Sequence, residues 1–377
     1  MNVPAIRILS RTLDLLAEVD CYESLVFARS WQGVGSFEIH APFDAKGASF
    51  LRIGNIIMLD SDGHRSGIIR SIQCVDDHRR TNMIVKGVTL DGLAAQRITV
   101  PPSDPVYGGY SLVPLPGASP IPAETALKTF ARRHMSEPED VKQSLPIEIS
   151  PDQGRGAPSM WLSRLDPLDS VLQGISEFYD IGWEVYVDLA NRAYVFDCVL
   201  GTDRSVEQST NSRVIFAPHF ENILNVRYDR DITPMRNVGY AAGFGDGVDR
   251  TIIKVFDGDE PLGFDRFETY MDCGNLEIVE TETALSLEQE GLHRLGQLSQ
   301  VESFTATIAP GSPFKYGQQW NLGDRVTLVD RALGYTLSPR ATTVSERYEA
   351  GNLGIDARFG SGPPHLRQVI RGLLPAR

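Results

Sequence analysis

Three observations predict a mainly β chain of the α+β class: short runs of alternating apolar residues toward both ends, a Pro-rich break after the first of them, and two helical periodicities in between. The chain has 377 residues, with 34 Gly and 23 Pro, enough turn formers to punctuate many short strands. At roughly 100–200 residues per domain the length suggests about two to four domains.

Taken in order, residues 1–100 read as a β-domain. Phe37 and Ile39 alternate with Glu38 and His40, the period of two of a half-buried strand. An apolar run at 55–60 is followed by Asp62-Gly63, a hairpin signal, then by strands at 66–74 and 82–88 across a polar loop at 76–80. Three strands in meander order suggest a small barrel or sandwich. Residues 101–160 hold Pro101, Pro102, Pro105, Pro114, Pro116, Pro120 and Pro122. Proline fixes φ and lacks an N–H, so the stretch is a linker or extended loop. A short helix is expected at 122–134, with Ala126, Leu127, Phe130 and Ala131 on one face.

Residues 161–230 form an α+β module. Asp166 suits an N-cap and Pro167 the first helical position. Leu168, Leu172, Ile175 and Tyr179 recur at helical spacing, and Gly182 marks the stop. A hairpin follows, with Trp183, Val185 and Val187 alternating outward and Tyr194, Phe196 and Cys198 alternating on the return. Further strands are expected at 213–217, 223–228, 237–242 and 251–256, and a helix at 282–298, so that 231–300 reads as a second α+β module. The chain returns to β over 301–362, with strands at 304–308, 325–329, 336–346 and 353–359, and ends in a short basic tail at 363–377.

Composition narrows the function classes. The net charge is -13, which withholds the phosphate-neutralising surface that drives nucleic-acid affinity. No apolar run approaches the roughly 18 residues of a membrane span, and Arg7, Arg11 and Asp14 interrupt the apolar stretches of the start, unlike a signal peptide. Cys21, Cys74, Cys198 and Cys273 are dispersed. They read as buried thiols of a chain made in a reducing cytoplasm.

Gly54-Asn55-Ile56-Ile57-Met58-Leu59-Asp60 resembles Gly323-Asp324-Arg325-Val326-Thr327-Leu328-Val329-Asp330. Each is followed by a turn, a second strand carrying an Arg (Arg70; Arg340), a loop and a third strand. Two readings stand: duplication of a β-unit near each end, or simply the ordinary way a strand begins and ends.

Candidate chemistry gives no cluster. Gly243-Phe244-Gly245-Asp246-Gly247 is followed by a β-branched run and not by the helix that a phosphate loop needs, so it reads as a hairpin tip. The seven histidines, at 40, 64, 78, 134, 219, 293 and 365, show no metal-ligand spacing. There is no GxSxG elbow. Asp180 with Glu184, or Asp229 with Asp231, could supply an opposed acid pair; Trp31, Trp161, Trp183 and Trp320 could line a sugar platform; and the strings 246–249 and 257–260 are acidic without the ligand spacing of an EF-hand. Solvated turns and core packing account for these residues more simply.

The ordered segments 22–29 (Tyr-Glu-Ser-Leu-Val-Phe-Ala-Arg), 35–42 (Gly-Ser-Phe-Glu-Ile-His-Ala-Pro), 54–57, 67–70, 85–87, 214–218, 222–224, 237–250 and 322–326, with Arg340, resemble the tail-hub proteins of long-tailed phages, within the siphovirus tail-protein family of phages of Gram-positive hosts. The resemblance covers nearly the whole chain outside the Pro-rich 101–120 stretch and the tail. It implies a non-enzymatic virion protein of the tail tip, assembled in the host cytoplasm, with two small β-barrel domains and inserted α/β modules. It implies a homotrimer whose six barrels continue the tail tube. The implied partners are the distal tail protein, the tail tube, the tape-measure protein and tail fibre or spike proteins, with DNA only in transit. No catalytic, cofactor-binding or metal residue is implied, and no membrane span. Two other readings remain: a cell-wall or polysaccharide-cleaving tail enzyme, and a carbohydrate-binding receptor module.

Overall fold

The fold was analysed in a computed structural model, which describes residues 4–76, 81–103, 110–114, 119–274, 287–332, 334–349 and 351–360. The expected tail at 363–377 and the first residues of the 282–298 helix lie outside these. The chain is mainly β, with few helices. Its centre is one sheet of eleven strands, in the order Ile223–Asp231, Val301–Ile308, Asn352–Gly360, Ala341–Glu349, Ser24–Ser30, Ser36–Pro42, Thr81–Thr89, Asp62–Asp76, Ile56–Leu59, Ile6–Leu9, Leu15–Val19. Most strands assigned to two separate barrels therefore share one sheet, while Thr327–Asp330 lies in a separate three-stranded sheet with Ile215–Phe216 and Tyr335–Leu337, and no closed barrel is found among the described residues. The strand expected at 223–228 runs Ile223–Asp231 and pairs with Val301–Ile308.

Alternation in the sequence sets the faces. Leu25, Phe27, Phe37, Ile39, Met83, Val85 and Ile69 form one buried core with Ile6, Ile8 and Val19. A second, between Phe216, Phe304, Trp320, Val326, Leu328, Val344 and Phe359, underlies the C-terminal strands. Between them in sequence, helices Ala123–Ala131 and Leu168–Tyr179 pack on the hairpin Gly182–Asp188/Ala193–Val199 and on Ile56, Met58 and Ile68. A small sheet, Ile252–Val255 against Val238–Ala242 against Glu268–Asp272, carries the helix Leu287–Gly296.

Several local expectations shift. The first hairpin turns at Asp60, which holds φ 55, and not at Asp62-Gly63. Gly63 lies inside the strand, where an added Cβ would sit 1.8 Å from the carbonyl oxygen of Val187; it is glycine so that the α+β module can approach. The helix starts at Leu168 with Pro167 at the cap position, while Asp166 accepts from Ser163 Oγ at 2.9 Å. Its stop is Asp180 in the left-handed region, φ 54. The strand Glu268–Asp272 was not foreseen, and 213–217 yields only Ile215–Phe216. Cys198 and Cys273 are buried but Cys21 and Cys74 are exposed, and all four are free thiols.

The suspected duplication has a structural counterpart. Gly54 N–H donates to Ile69 O (2.9 Å) and Ile69 N–H to Asn55 O (3.0 Å); Gly323 N–H donates to Ala341 O (2.8 Å) and Ala341 N–H to Asp324 O (2.8 Å). Both glycines hold φ +89. A bulge follows at the same step, between Ile69 and Ser71 and between Ala341 and Thr343. Ser71 then opposes Lys86, and Thr343 opposes Arg358. The counterpart of Arg70 is consequently Thr342, not Arg340. Strand by strand, 24–30, 36–42, 81–89 and 62–76 recur as 223–231, 301–308, 352–360 and 341–349, in the same order along the sheet.

Candidate functional site

The candidate site is the joint between the two β units, where Thr343 opposes Ser30 and Glu349 opposes Ser24 in an antiparallel ladder. Trp31 follows this ladder and is 2% exposed. Its indole is wedged between two backbones: a Cβ at Gly182 would lie 2.2 Å, and one at Gly323 2.4 Å, from Trp31 Nε1. The Arg340 guanidinium covers the ring at 4.2 Å, a cation–π contact. Arg340 Nε donates to Asp180 Oδ1 at 2.9 Å, and Arg325 Nη2 to Asp180 Oδ2 at 2.9 Å. One tryptophan thus ties together the first β unit, the α+β module and the last β unit.

A cavity of about 1020 Å³ opens beside it, lined by Arg29, His64, Asp91, Glu184, Tyr316 and Glu346 among others. Most of its charges are held by partners within the chain, and Lys315 Nζ donates to the Pro310 carbonyl at 3.0 Å. Arg29 Nη2 donates to Glu184 Oε2 (3.1 Å), and His64 Nδ1 lies 3.1 Å from Glu184 Oε1. That hydrogen bond holds the His64 pKa above its usual value. Arg65 donates to Glu346 Oε2 at 2.9 Å and to the Tyr348 hydroxyl at 3.1 Å. Asp91 accepts from Val185 N–H at 2.6 Å and from Thr89 Oγ1 at 2.7 Å. Burial pushes its carboxyl up to about 7.

The residues considered from sequence for chemistry fall into structural roles. Asp180 and Glu184 are held by arginines of the two β units; Asp229 pairs with Arg227 at 2.7 Å, and Asp231 accepts from Thr233 N–H at 2.8 Å. Trp31, Trp161, Trp183 and Trp320 are all buried, at 2, 7, 1 and 0% exposure, so none offers a sugar platform. The glycine run 243–247 connects two antiparallel strands, Val238–Ala242 and Ile252–Val255, and is followed only by a three-residue 3-10 turn, Gly247–Asp249, not by an α-helix. Glu260 is held by Lys254 (2.7 Å) and Arg266 (2.6 Å). Among the described residues no group of three His, Cys, Asp or Glu could hold a metal ion, and no helix is long and apolar enough to cross a membrane. His134 and His293 are buried neutral, each with its pKa lowered by burial to about 4.

Sequence reading missed the ion cluster that joins the helix Ala123–Ala131 and Arg155 to the hairpin of the α+β module. Glu124 accepts from Lys128 Nζ (2.6 Å) and from Arg155 Nε (2.7 Å), and Lys128 also reaches Asp197 at 3.0 Å. Burial acts to raise the Glu124 pKa, but the Arg155 and Lys128 hydrogen bonds outweigh it and hold the carboxyl at about 2. The i,i+4 spacing of Glu124 and Lys128 was the visible signal.

A β unit is thus repeated within one sheet, and most of the charges that line the cavity are held within the chain. The comparisons place it. A family model described as Siphovirus ReqiPepy6 Gp37-like protein matches residues 5–361, and the chain belongs to that family of siphovirus tail proteins. Its fold is shared with the prophage MuSo2 43 kDa tail protein from Shewanella oneidensis (TM-score 0.54, 11% identity, 95% of this chain and 98% of that one). It is shared equally with a tail protein from Neisseria meningitidis MC58 (0.52, 12%, 95% and 96%). Prophage tail protein gp18 from Listeria monocytogenes EGD-e is a third (0.52, 10%, 98% and 98%). A search of the curated proteins returns no match.

Proposed function

We propose that the chain is the hub at the distal end of a siphovirus tail tube, a homotrimer in which three chains present six copies of one β unit. The observation that carries the reading is the four-strand order repeated within one sheet, 24–30/36–42/81–89/62–76 and 223–231/301–308/352–360/341–349. A chain holding two equivalent units matches a six-fold tube with three copies, through contacts that close into a ring. In this reading the units 1–100 and 301–362, joined by strand 223–231, form the ring wall, and the modules at 101–160, 161–230 and 231–300 hang from it. The distal tail protein and tube dock above, and fibres or a spike below. Tape-measure protein and DNA pass through.

The sheet face that carries Glu38, Lys86, Arg347 and Asp356 suits the channel. Lys86 sits 2.8 Å from Glu38, and Arg347 pairs with Asp356. Paired charges leave little net field to grip a polyanion. The role is non-enzymatic. Mass measurement of the purified protein in solution tests the reading: a trimer is expected, and a monomer or dimer at assembly concentrations would overturn it. Imaging of the tail should place the chain on the axis at its tip.

A further inference from the structure

The joint inside the chain predicts the joint between chains. Within the chain, the last strand of one unit (341–349) pairs with the first strand of the other (24–30) in the register Thr343↔Ser30, Ser345↔Ala28, Arg347↔Val26. The counterparts of these two strands each present an open side among the described residues. Residues 71–76 pair on one side with 81–86, while their other side has no partner among the described residues, because Ile56–Leu59 reaches only as far as Ile68. Among the described residues, Ile223–Asp231 stands last in the sheet and pairs only with Val301–Ile308. Ser71, Gln73, Cys74 and Val75 are exposed. Unpaired edges of this kind are templates for strand addition from another chain.

We infer that 71–76 of one chain adds antiparallel to 223–231 of a second copy, repeating the internal ladder. The inference rests on the ring reading above and specifies its interface. The register follows from the matched pairs. Ser71 opposes Lys86 as Thr343 opposes Arg358, which makes Ser71 the counterpart of Thr343. Val26 opposes Glu38, Glu38 opposes Lys86, Thr305 opposes Arg358 and Arg227 opposes Thr305, which makes Arg227 the counterpart of Val26. The intermolecular pairs are then Ser71↔Asp231, Gln73↔Asp229 and Val75↔Arg227 on the face away from the core, with Ile72↔Arg230 and Cys74↔Tyr228 on the other. The contact is head-to-tail, uses different surfaces on its two sides and covers both of these open sides once the ring closes.

Paired cysteines test the register in a background of Cys21→Ser and Cys74→Ser. Gln73→Cys with Asp229→Cys places the two Cβ atoms directly opposite, about 5 Å apart; Gln73→Cys with Arg227→Cys places them on a diagonal at about 7–8 Å. Under mild oxidation the first pair is expected to give covalent trimers on a non-reducing gel, at least tenfold more than the second. Hydrogen exchange on the unsubstituted trimer reads the same joint without any variant: amides in 71–75 and 227–231 should exchange as slowly as those in 343–347. A trimer that cross-links better through the diagonal pair, or whose 71–75 amides exchange freely, overturns this joint and leaves the ring standing. A monomeric unsubstituted protein overturns both.

Discussion

The two β units are built to one plan and finished differently. In the first unit the outer strand, Ser24–Ser30, is covered inside the chain by Ala341–Glu349. It carries Leu25 and Phe27, both fully buried, with Val26, Ala28 and Ser30 on the opposite face. In the second unit the matching strand is the sheet's edge. Tyr228 stands in place of Phe27, its hydroxyl donating to Glu302 Oε1 at 2.7 Å, and Arg227, Asp229 and Asp231 stand in place of Val26, Ala28 and Ser30. Sharing a plan requires the hydrogen-bond ladder, the bulge and the glycine at φ +89. It does not require the side chains. Charges on an open edge discourage indiscriminate pairing, which leaves the strand available to a partner with the right register.

The largest expected effect separates these two strands. Phe27→Ala empties a filled core position and should cost about 3–5 kcal/mol of unfolding free energy. Tyr228→Ala, at a half-exposed position, should cost the isolated chain about 1–2 kcal/mol. Denaturant unfolding of the dissociated chain measures both, and equal losses would show that the strands are equally buried and the comparison is wrong.

Next is the pH dependence that Asp91 gives the first unit, where Thr89 and Asp91 receive the α+β module. The folded state raises the Asp91 pKa from 3.8 to about 7. Its contribution to stability is therefore intact below about pH 4 and is lost as the pH rises through 7. His293 and His134 act in the opposite sense. With folded values near 4, against about 6.5 unfolded, they weaken the fold as the pH falls through the same window. Asp91→Asn removes only the first slope. The variant should gain on the wild type as the pH rises from 4 to 7, by about 2–4 kcal/mol at the upper end. Parallel stability–pH curves for the two proteins would mean that Asp91 ionises freely.

A third prediction tests the shared glycine. An alanine at Gly54 or Gly323 meets the same φ, which costs an L-residue about 1–2 kcal/mol. The surroundings differ. At Gly54 the new Cβ would meet the end of the Arg11 side chain, which can swing away; at Gly323 it would meet the Trp31 indole, which Gly182 and Arg340 hold in place. Gly323→Ala should be the worse by roughly 1–3 kcal/mol. Thermal melts in which Gly54→Ala is as damaging as Gly323→Ala would remove Trp31 from the centre of the joint.

Much of the strand pattern was legible because alternation is local: Phe37 with Ile39, and Trp183, Val185 and Val187, announce their faces within five residues. Glu268–Asp272 was missed because a single residue of it, Met271, is buried. The duplication showed only where both copies begin with glycine. Elsewhere the ladder is kept while residues change, Lys86 against Arg358 and Val85 against Ala357. The joint itself was invisible. Trp31, Gly182, Gly323 and Arg340 meet from distant parts of the chain, and no local pattern marks a glycine as seat for a remote indole. Cys74 was expected inside because free cysteines usually are; it is outside because its stretch of strand, 71–76, is paired on one side only among the described residues.

The smallest effect concerns one matched pair of arginines. Arg29 and Arg230 hold equivalent positions on the two outer strands, but their surroundings differ. The Arg29 guanidinium is largely buried against Glu184, and its loss would leave that carboxylate with His64 alone. Arg29→Met should therefore cost about 1–3 kcal/mol, and more at high pH, where His64 is neutral and no cation faces Glu184. Arg230 is exposed, and Arg230→Met should change the stability of the dissociated chain by no more than about 0.5 kcal/mol. If the edge joint forms, the same substitution reports on assembly. The trimer should then weaken or strengthen measurably in analytical ultracentrifugation while the chain's own unfolding stays where it was. An Arg230→Met variant unchanged in both would detach position 230 from any interface, and would leave the resemblance between the two strands a matter of ancestry alone.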